Sequence, residues 1–242
     1  ERGFLSPTPY GDMADCLLSD APPCVLGQYG LVVLAGTLDE GANAETRDNL
    51  EQFTDGGGRL VVTAANARAM WPEWGIGDEQ SIAAGSTIRF SDGTLVEEVN
   101  AFELCALEPR DGDEVIAECE TVAGSGGGPA VVRIARGKGC ITVLLSPLGL
   151  NSEPQATGPV ECAEDRPLPC PFGMLEHAKR LLSDEFGKQQ IFSVGEGLSF
   201  IACRRPDGAY TLGVQNNGLD EKPLAVSAAT GTVSDLRELA LD

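Results

Sequence analysis

The sequence predicts an α/β fold: a mostly parallel sheet with an antiparallel β insertion at about residues 82–132, followed by a small C-terminal antiparallel β module. Two observations support this. The apolar run YGLVVLAG is followed by a helical pattern and then by a second apolar run, RLVVTAA, as in a strand–helix–strand unit. Other runs are short, alternate between apolar and polar residues, and are separated by Asp-Gly and Asn-Gly turns, which is typical of antiparallel hairpins.

The strand–helix–strand unit is the clearest pattern in the chain. YGLVVLAG predicts a central strand that is covered on both faces. AETRDNLEQFTDGGG places Leu50 and Phe53 on one face of a helix, and its glycines supply the stop. RLVVTAA then predicts a second buried strand, parallel to the first and reached by a right-handed crossover.

The middle of the chain predicts hairpins. STIRFSDGTLVEEV and AFELCALEPRDGDEVIAECET each contain two strand-like runs around an Asp-Gly turn, and a tight turn at residues 136–139 joins two further strands, the second of which returns to the core. GMLEHAKRLLSDEFG predicts an amphipathic helix. Its expected apolar face consists of Met174, Leu175, Ala178, Leu181 and Leu182.

We place a domain boundary after residue 187. Residues 1–187 form the α/β domain in this interpretation, and residues 188–242 form a small β-sandwich-like module with turns at PDG, NNG and ATG. Because a module of roughly 55 residues is close to the minimum for a core of its own, we expect it to lean on the first domain.

The net charge of the chain argues against some classes of binding partner. The 242 residues include 37 acidic and 17 basic side chains, a formal net charge of -20, which would repel nucleic-acid phosphates and anionic lipid headgroups. No apolar segment approaches the roughly 20 residues that a membrane span needs. The acids are scattered, as on a solvated surface, and no calcium loop of the D-x-[DN]-x-[DN]-G type occurs. We therefore predict no nucleic-acid or membrane partner, no metal and no cofactor.

Eight cysteines occur, and none forms the C-x-x-C spacing of a zinc or redox motif. Of the 105 possible pairings, we favour one that combines short loops with a cross-strand bridge. It consists of Cys16–Cys24, Cys105–Cys119, Cys162–Cys170 and Cys140–Cys203. Persistent disulfides indicate a secreted, extracellular protein. The alternative is a set of free, buried cysteines in a cytosolic protein. The start of the chain, ERGF, resembles the middle of a longer sequence, so we expect a mature product or a fragment.

The bend after RLVVT is the position at which several enzyme folds display a nucleophile. Here it holds Ala64, Ala65, Asn66 and Ala67, without a Cys or a Ser. A thiolate nucleophile also needs a neighbouring base, usually a histidine held by an acid. The sequence thus predicts that this position is catalytically vacant.

The run YGLVVLAGTLDEGANAETRDNLEQFTDGGGRLVVTAA resembles class I glutamine amidotransferase-like domains, which have a flavodoxin-like sheet, and especially the degenerate version that serves as the trimerisation domain of some β-galactosidases. GKGCITVLLSPLGLNS and LEHAKRLL look like the closing strand and last helix of that domain, so the resemblance covers about residues 10–187. Active members use a Cys at the bend and a His with an acid near the closing strand. Residues 146–153 contain no His. The resemblance therefore implies a pseudoenzyme.

The remaining catalytic candidates are carboxylates, because a glycoside hydrolase needs two of them across a cleft. Asp39, Glu40, Glu73 and Glu153 are the candidates near the strand ends, although each also fits a solvated surface. His177, the sole histidine, is interpreted as a solvent-facing or half-buried helix residue without a catalytic role.

WPEW contains both tryptophans, Trp71 and Trp74, beside the vacant bend and Asn66, and these three residues are our binding candidates. Flat indole rings stack on sugars, anchor interfaces or plug a loop. We therefore predict a non-catalytic accessory module of a secreted, carbohydrate-active protein, which contacts other domains, oligomer mates or polysaccharide. The alternatives are a structural component of an extracellular assembly without a carbohydrate role and a carboxylate-dependent glycoside hydrolase.

Overall fold

The computed structural model describes residues 17, 20–34, 43–120, 127–149, 174–189, 191–195, 198–205, 207–216, 220–229 and 233. The chain divides into a larger unit, Leu18–Phe186, and a smaller unit that contains Gly187–Asp242. Among the described residues, no helix is long and apolar enough to cross a bilayer.

The helices of the larger unit are α1 (Pro23–Leu26), α2 (Asn43–Asp55), α3 (Ala64–Met70), a 3-10 turn (Pro72–Trp74) and α4 (Glu176–Gly187). Its strands are β1 (Leu31–Leu34), β2 (Arg59–Thr63), β3 (Glu79–Ile82), β4 (Ser86–Phe90), β5 (Leu95–Glu98), β6 (Phe102–Cys105), β7 (Glu114–Glu120), β8 (Gly128–Arg136) and β9 (Gly139–Leu144). Seven of them form one sheet in the order β1-β2-β9-β8-β7-β4-β5.

The predicted strand–helix–strand unit is confirmed as β1–α2–β2. β1 pairs with β2 in parallel, and β2 pairs in parallel with β9. On α2, Leu50 and Phe53 are buried as expected. The first strand differs in position, because β1 lies at the edge of the described sheet and its four residues are only partly buried.

The prediction of a mostly parallel sheet is wrong for the described strands. Only β1–β2 and β2–β9 are parallel, whereas β9–β8, β8–β7, β7–β4 and β4–β5 are antiparallel. The reason is that the expected insertion does not stand apart from the sheet: its strands β4, β5 and β7 continue the hydrogen-bonded ladder beyond β8. The result is a mixed sheet with a parallel and an antiparallel half.

Two of the three predicted hairpins form. β4 and β5 enclose the Asp-Gly turn, with Gly93 at φ 86°, and β8 and β9 are joined by the tight turn at residues 136–139. The third hairpin was predicted incorrectly, because β6 does not pair with β7. β6 pairs with β3 in a separate two-stranded sheet, while both edges of β7 are occupied by β4 and β8.

Two of the predicted disulfides, Cys105–Cys119 and Cys140–Cys203, are not formed. Cys105 lies in β6 and Cys119 in β7, so they are not cross-strand neighbours, and both thiols are buried and free. Cys140 in β9 and Cys203 in the smaller unit also carry free thiols. Cys24 is free and exposed, and its predicted partner Cys16 lies outside the described residues, as do Cys162 and Cys170.

The turn between α2 and β2 packs tightly against the β8–β9 hairpin. A Cβ on Gly139 would lie 2.0 Å from the carbonyl oxygen of Gly58 and 2.6 Å from that of Thr54, so only glycine fits. A Cβ on Gly58 would meet the ring of Phe53 at 2.3 Å. These glycines let the backbone of the hairpin approach the end of α2 directly.

Helix α4 packs on the sheet through an apolar face and one buried carboxylate. Leu175 just before the helix, and Ala178 and Leu181 within it, are buried as predicted, whereas Met174 is 36% exposed. Near its end, the carboxylate of Glu185 is reached by two arginines of the sheet: Arg59 Nη2 lies 2.5 Å from Oε2, and Arg133 Nη2 lies 2.9 Å from Oε1. These ion pairs join α4 to β2 and β8.

The smaller unit is antiparallel where it is described, as predicted. Its strands are β10 (Phe192–Ser193), β11 (Leu198–Arg204), β12 (Tyr210–Asn216) and β13 (Ser227–Ala228). β11 pairs with β12, and β10 pairs with β13. The PDG turn lies between β11 and β12, where Gly208 adopts φ 84°.

Candidate functional site

The bend after β2 carries no nucleophile and no strain. Helix α3 begins at Ala64, directly after Thr63, whose backbone is extended at φ -81° and ψ 160°. Asn66, one of the predicted binding residues, is 1% exposed, and its Nδ2 donates to the carbonyl oxygen of Leu34 in β1 at 3.3 Å. Its amide therefore ties α3 to β1.

The two tryptophans stack on each other. Their ring centroids are 4.6 Å apart and the ring planes differ by 11°. Trp71 is fully buried, and its Nε1 donates to Glu51 Oε1 at 2.8 Å, while Trp74 is 8% exposed. Little indole surface is left for a ligand, because each ring covers a face of the other.

Arg47 connects α2 to the segment that holds these tryptophans. Its guanidinium donates to Glu51 Oε1 at 2.9 Å, to the carbonyl oxygen of Met70 at 2.8 Å and to Glu73 Oε1 at 2.6 Å. Glu73, a predicted catalytic candidate, is thus held in an ion pair. Burial opposes the ionisation of Glu51, but hydrogen bonds from Trp71 and Arg47 outweigh it and hold the pKa of Glu51 below its usual value.

A cleft of about 570 Å³ opens beside Trp74, a volume within the range of ligand pockets. Its walls come from the 3-10 turn, the end of β6 with the chain after it, and the start of β8. The lining residues are Trp74, Gly75, Gly77, Gln80, Cys105, Ala106, Leu107, Glu108, Pro109, Arg110, Gly127, Gly128 and Pro129. Ala106 and Pro109 supply exposed apolar surface, and Glu108 and Arg110 place opposite charges at the cleft.

A guanidinium lies against this cleft. Arg68 in α3 donates to the carbonyl oxygen of Gly77, and its Nη2 lies 3.4 Å from Cys105 Sγ, so two lining residues are its partners. Burial raises the pKa of the Cys105 thiol, although the charge of Arg68 opposes this shift. The thiol is therefore neutral at physiological pH and contributes apolar surface to the cleft.

A second polar cluster lies in the core and was missed by the sequence analysis. Ser146 lies two residues after the end of β9, and its Oγ lies 2.8 Å from Nε2 of His177 in the first turn of α4. His177 Nδ1 lies 2.5 Å from Oε1 of Glu98, the last residue of β5. Their exposed fractions are 2%, 0% and 1%. The interpretation of His177 as a solvent-facing or half-buried residue is wrong, because three elements enclose it.

Glu98 also caps α4. Its Oε1 accepts the backbone N–H of His177 at 2.7 Å, and its Oε2 accepts that of Glu176 at 3.2 Å. A carboxylate at a helix N-terminus satisfies free N–H groups and interacts favourably with the helix dipole. Burial opposes ionisation, but these bonds and the one from the His177 ring hold the pKa of Glu98 below its usual value.

The order of groups, hydroxyl to imidazole to carboxylate, is that of a serine nucleophile with its base and orienting acid. Their burial sets them apart from such a site, since none of the three lines the cleft and Ser146 presents almost no surface. As built, the cluster is a continuous chain of hydrogen bonds within the core. We refer to Ser146, His177 and Glu98 as the Ser–His–Glu network.

The other predicted catalytic residues, Asp39, Glu40 and Glu153, are outside the described residues. In the part of the chain that the structure describes, no group of three or more His, Cys, Asp or Glu side chains could hold a metal ion.

Comparison with known proteins shows similarity at the level of fold. No protein-family model and no curated protein sequence matches the chain. Among solved structures, Gan42B, a GH42 β-galactosidase from G. stearothermophilus, matches with a TM-score of 0.51 and 14% identity over 85% of this chain. The β-galactosidase from Rahnella sp. R3 matches with a TM-score of 0.51 and 17% identity over 81%. The fold is shared with β-galactosidases.

The matched regions amount to 28% and 29% of those two β-galactosidase chains. This chain therefore corresponds in fold to a minor part of each enzyme. The similarity agrees with the resemblance to β-galactosidases that the sequence suggested.

Proposed function

We propose that this chain is a non-catalytic accessory module of a carbohydrate-active protein, built on a degenerate amidotransferase-like domain, and that it works by contacting other domains or oligomer mates. The observation that carries the proposal is the fold match to a minor part of two β-galactosidase chains. The vacant bend at Ala64 and Asn66 supports it, because no nucleophile stands where the resembled enzymes need one.

The cleft beside Trp74 is the contact surface in this proposal, and a polypeptide is its favoured occupant. A sugar-binding tryptophan presents a flat, open ring face, whereas Trp74 is 8% exposed and stacked on Trp71. The cleft offers instead the exposed apolar residues Ala106 and Pro109 and the charges of Glu108 and Arg110. Apolar surface beside charged residues is typical of protein interfaces.

An exposed alanine in the cleft allows a direct test. In Ala106→Arg a long charged side chain would occupy the cleft, while Ala84→Arg places the same change at an exposed position outside the lining residues. Light scattering measures the mass of each protein in solution, and pull-down with the remainder of the gene product measures domain contact. We expect Ala106→Arg to weaken association and Ala84→Arg to leave it unchanged. Equal behaviour of the two variants would remove the cleft from the proposal.

A glycosidase assay tests the proposal that the chain is non-catalytic. The isolated chain should release no p-nitrophenol from aryl β-D-galactosides. Turnover that disappears in Glu73→Gln would instead establish the carboxylate-dependent hydrolase. Against that alternative, the carboxylate of Glu73 is held in an ion pair with Arg47 at 2.6 Å.

A secreted location remains part of the proposal, but fewer of the predicted disulfides now support it. Five cysteines are free thiols, so the predicted Cys162–Cys170 pair is the one disulfide left on which the inference can rest. A peptide map under non-reducing conditions tests it: a linked peptide pair favours an oxidising compartment. Two separate alkylated peptides would remove the reason for placing the protein outside the cell.

A further inference from the structure

Strand β3 is an open edge next to the cleft. It pairs with β6 on one side, and on its other side it has no neighbour among the described strands. An edge strand presents a row of N–H and C=O groups with which a further strand can pair. Two common protections of such an edge are absent from β3, since it contains no proline and pairs with β6 in unbroken register from Glu79 to Ile82.

The hydrogen-bond register shows which backbone groups of β3 point outward. The N–H of Cys105 in β6 donates to the carbonyl oxygen of Leu145 at 2.7 Å, away from β3. Cys105 and Glu79, which lie opposite each other, are therefore a non-hydrogen-bonded pair. Because the two kinds of pair alternate in an antiparallel ladder, Gln80 bonds β6, whereas the N–H and C=O groups of Glu79 and Ser81 face the open side.

These outward groups are accessible and unpaired. Glu79 and Ser81 are exposed. Within the part of the chain that the structure describes, no hydrogen bond reaches their backbone N–H or C=O groups. Two donors and two acceptors, spaced two residues apart, are the groups with which an extended polypeptide adds a strand to a sheet.

The side chains around this edge carry negative charge without a matching base. Asp78 and Glu79 are exposed, and a hydrogen bond with Glu79, followed by its charge, raises the pKa of Glu103 in β6. These three carboxylates take part in none of the ion pairs between described residues. Carboxylates in contact repel each other when both are ionised, and a nearby cation removes that cost.

This charge determines the kind of strand that can bind. A second copy of β3 would bring its own Glu79 and Glu103 to the edge, and two chains with a formal net charge of -20 each repel one another. Like charges opposite each other in a sheet are destabilising, whereas opposite charges stabilise the pair. The edge therefore favours an incoming strand that carries lysine or arginine.

We propose that β3 receives a basic, extended segment of the partner polypeptide, which adds a strand to the β3–β6 sheet. The inference rests on the proposed function, because it names the chemistry of the partner that contacts the cleft. Backbone hydrogen bonds to Glu79 and Ser81 supply affinity, and the carboxylates of Glu79 and Glu103 select basic side chains. Gln80 lines the cleft, so the added strand continues the contact surface.

A pair of Ser81 variants tests the backbone contact. Ser81→Pro removes an outward N–H, and proline is tolerated in an edge strand where that group faces away from the ladder. Ser81→Ala changes the side chain and keeps the N–H. We expect Ser81→Pro to weaken binding to the remainder of the gene product by about tenfold, since a carbonyl of the incoming strand loses its donor. Ser81→Ala should bind as wild type does, and thermal unfolding checks that both variants fold.

Amide hydrogen exchange tests the edge in the wild-type chain, whether or not Ser81→Pro folds. In the free chain the amides of Glu79 and Ser81 should exchange fast and that of Gln80 slowly. The probe is a synthetic peptide of alternating lysine and threonine at saturating concentration, and it should slow exchange at Glu79 and Ser81. A peptide of alternating glutamate and threonine is the matched control and should leave both amides unprotected.

Two results of this experiment would overturn the proposal. Slow exchange at Glu79 and Ser81 in the free chain would mean that the edge is already covered. Binding of the lysine peptide without protection of these amides would mean that charge attraction alone holds it.

The failure of this inference and that of the proposed function can be told apart. If Ala106→Arg weakens association and Ser81→Pro does not, the cleft remains the contact surface and strand addition is wrong. If the chain does not bind the remainder of the gene product at all, the proposed function is wrong. The lysine peptide then still decides whether β3 accepts a basic strand.

Discussion

The indole Nε1 of Trp71 donates a hydrogen bond of 2.8 Å to Glu51, and this contact fastens the segment after α3 to helix α2. Glu51 also binds Arg47 at 2.9 Å and Arg136 at 2.6 Å, so one carboxylate holds three elements together. Because Trp71 stacks on Trp74, the hydrogen bond from Trp71 to Glu51 also helps to fix the position of Trp74 in the wall of the cleft.

Trp71→Phe should therefore destabilise the protein. The variant keeps an aromatic ring but removes the donor, which leaves Glu51 one partner short, and we expect a loss of about 1–3 kcal/mol in the free energy of unfolding. Urea denaturation followed by circular dichroism measures it. Glu73→Gln is the control, because Glu73 is half exposed in its bond to the same Arg47, and exposed pairs contribute about 1 kcal/mol or less. Equal losses in the two variants would contradict the role assigned to Trp71.

Glu98 makes the stability depend on acid pH. Its pKa is lowered in the folded state, so its contribution is fully present above the ordinary glutamate pKa of about 4.3 and is lost as the pH falls through the lower folded value. Wild type should lose stability below about pH 4, and Glu98→Gln should be less stable at pH 7 but show a flatter acid limb. Unfolding free energies measured from pH 7 to pH 2.5 test this, and parallel limbs for the two proteins would exclude Glu98 as the cause.

Gly139→Ala should strongly destabilise the larger unit. The added Cβ would lie 2.0 Å from a backbone oxygen, which cannot move without separating the hairpin from α2. We expect a loss of about 3 kcal/mol or more, or failure to fold. Gly128→Ala in β8 is the matched control, because no heavy atom lies within 4 Å of its added Cβ. Thermal unfolding of both variants gives the comparison, and a Gly139→Ala protein as stable as wild type would show that the close approach is absent in solution.

The free thiols predict a pattern of chemical labelling. Cys24 and Cys203 are exposed and should react with iodoacetamide in the native protein, while Cys105, Cys119 and Cys140 are buried and should react only after unfolding. Burial raises the pKa of Cys105 and Cys119, which lowers their thiolate content further. Peptide mapping by mass spectrometry reads out each site. A Cys105–Cys119 linked peptide would reinstate the disulfide that the strand pairing excludes.

Local patterns in the sequence were reliable guides to single elements. The strand–helix–strand unit and two hairpins follow from periodicity and turn residues, since these depend on neighbours along the chain. The partner of β6 did not follow, because its run FELC suits pairing with β3 as well as with β7. Hydrophobic alternation determines which face of a strand is buried, but it does not determine which other strand pairs with it.

The Ser–His–Glu network shows a different limit. Glu98 ends an alternating strand, where a glutamate usually faces solvent, and His177 begins an amphipathic helix. Nothing in either local pattern distinguishes a buried polar residue from an exposed one. The three side chains meet only when α4 packs beside β5 and β9. Ser146, a hydroxyl two residues after the largely buried strand β9, was the local sign of a buried polar group.

Strand β9 has a parallel neighbour, β2, on one side and an antiparallel neighbour, β8, on the other. During synthesis β2 is made early, but its second edge stays unpaired until β9 has been made, because Arg59 of β2 pairs with Cys140 of β9. A nascent chain that stops short of β9 would leave this edge of β2 unpaired and its apolar side chains exposed. Because β9 lies between β2 and β8, the sheet can be completed only after β9 is synthesised. A chain truncated before β9 should therefore aggregate.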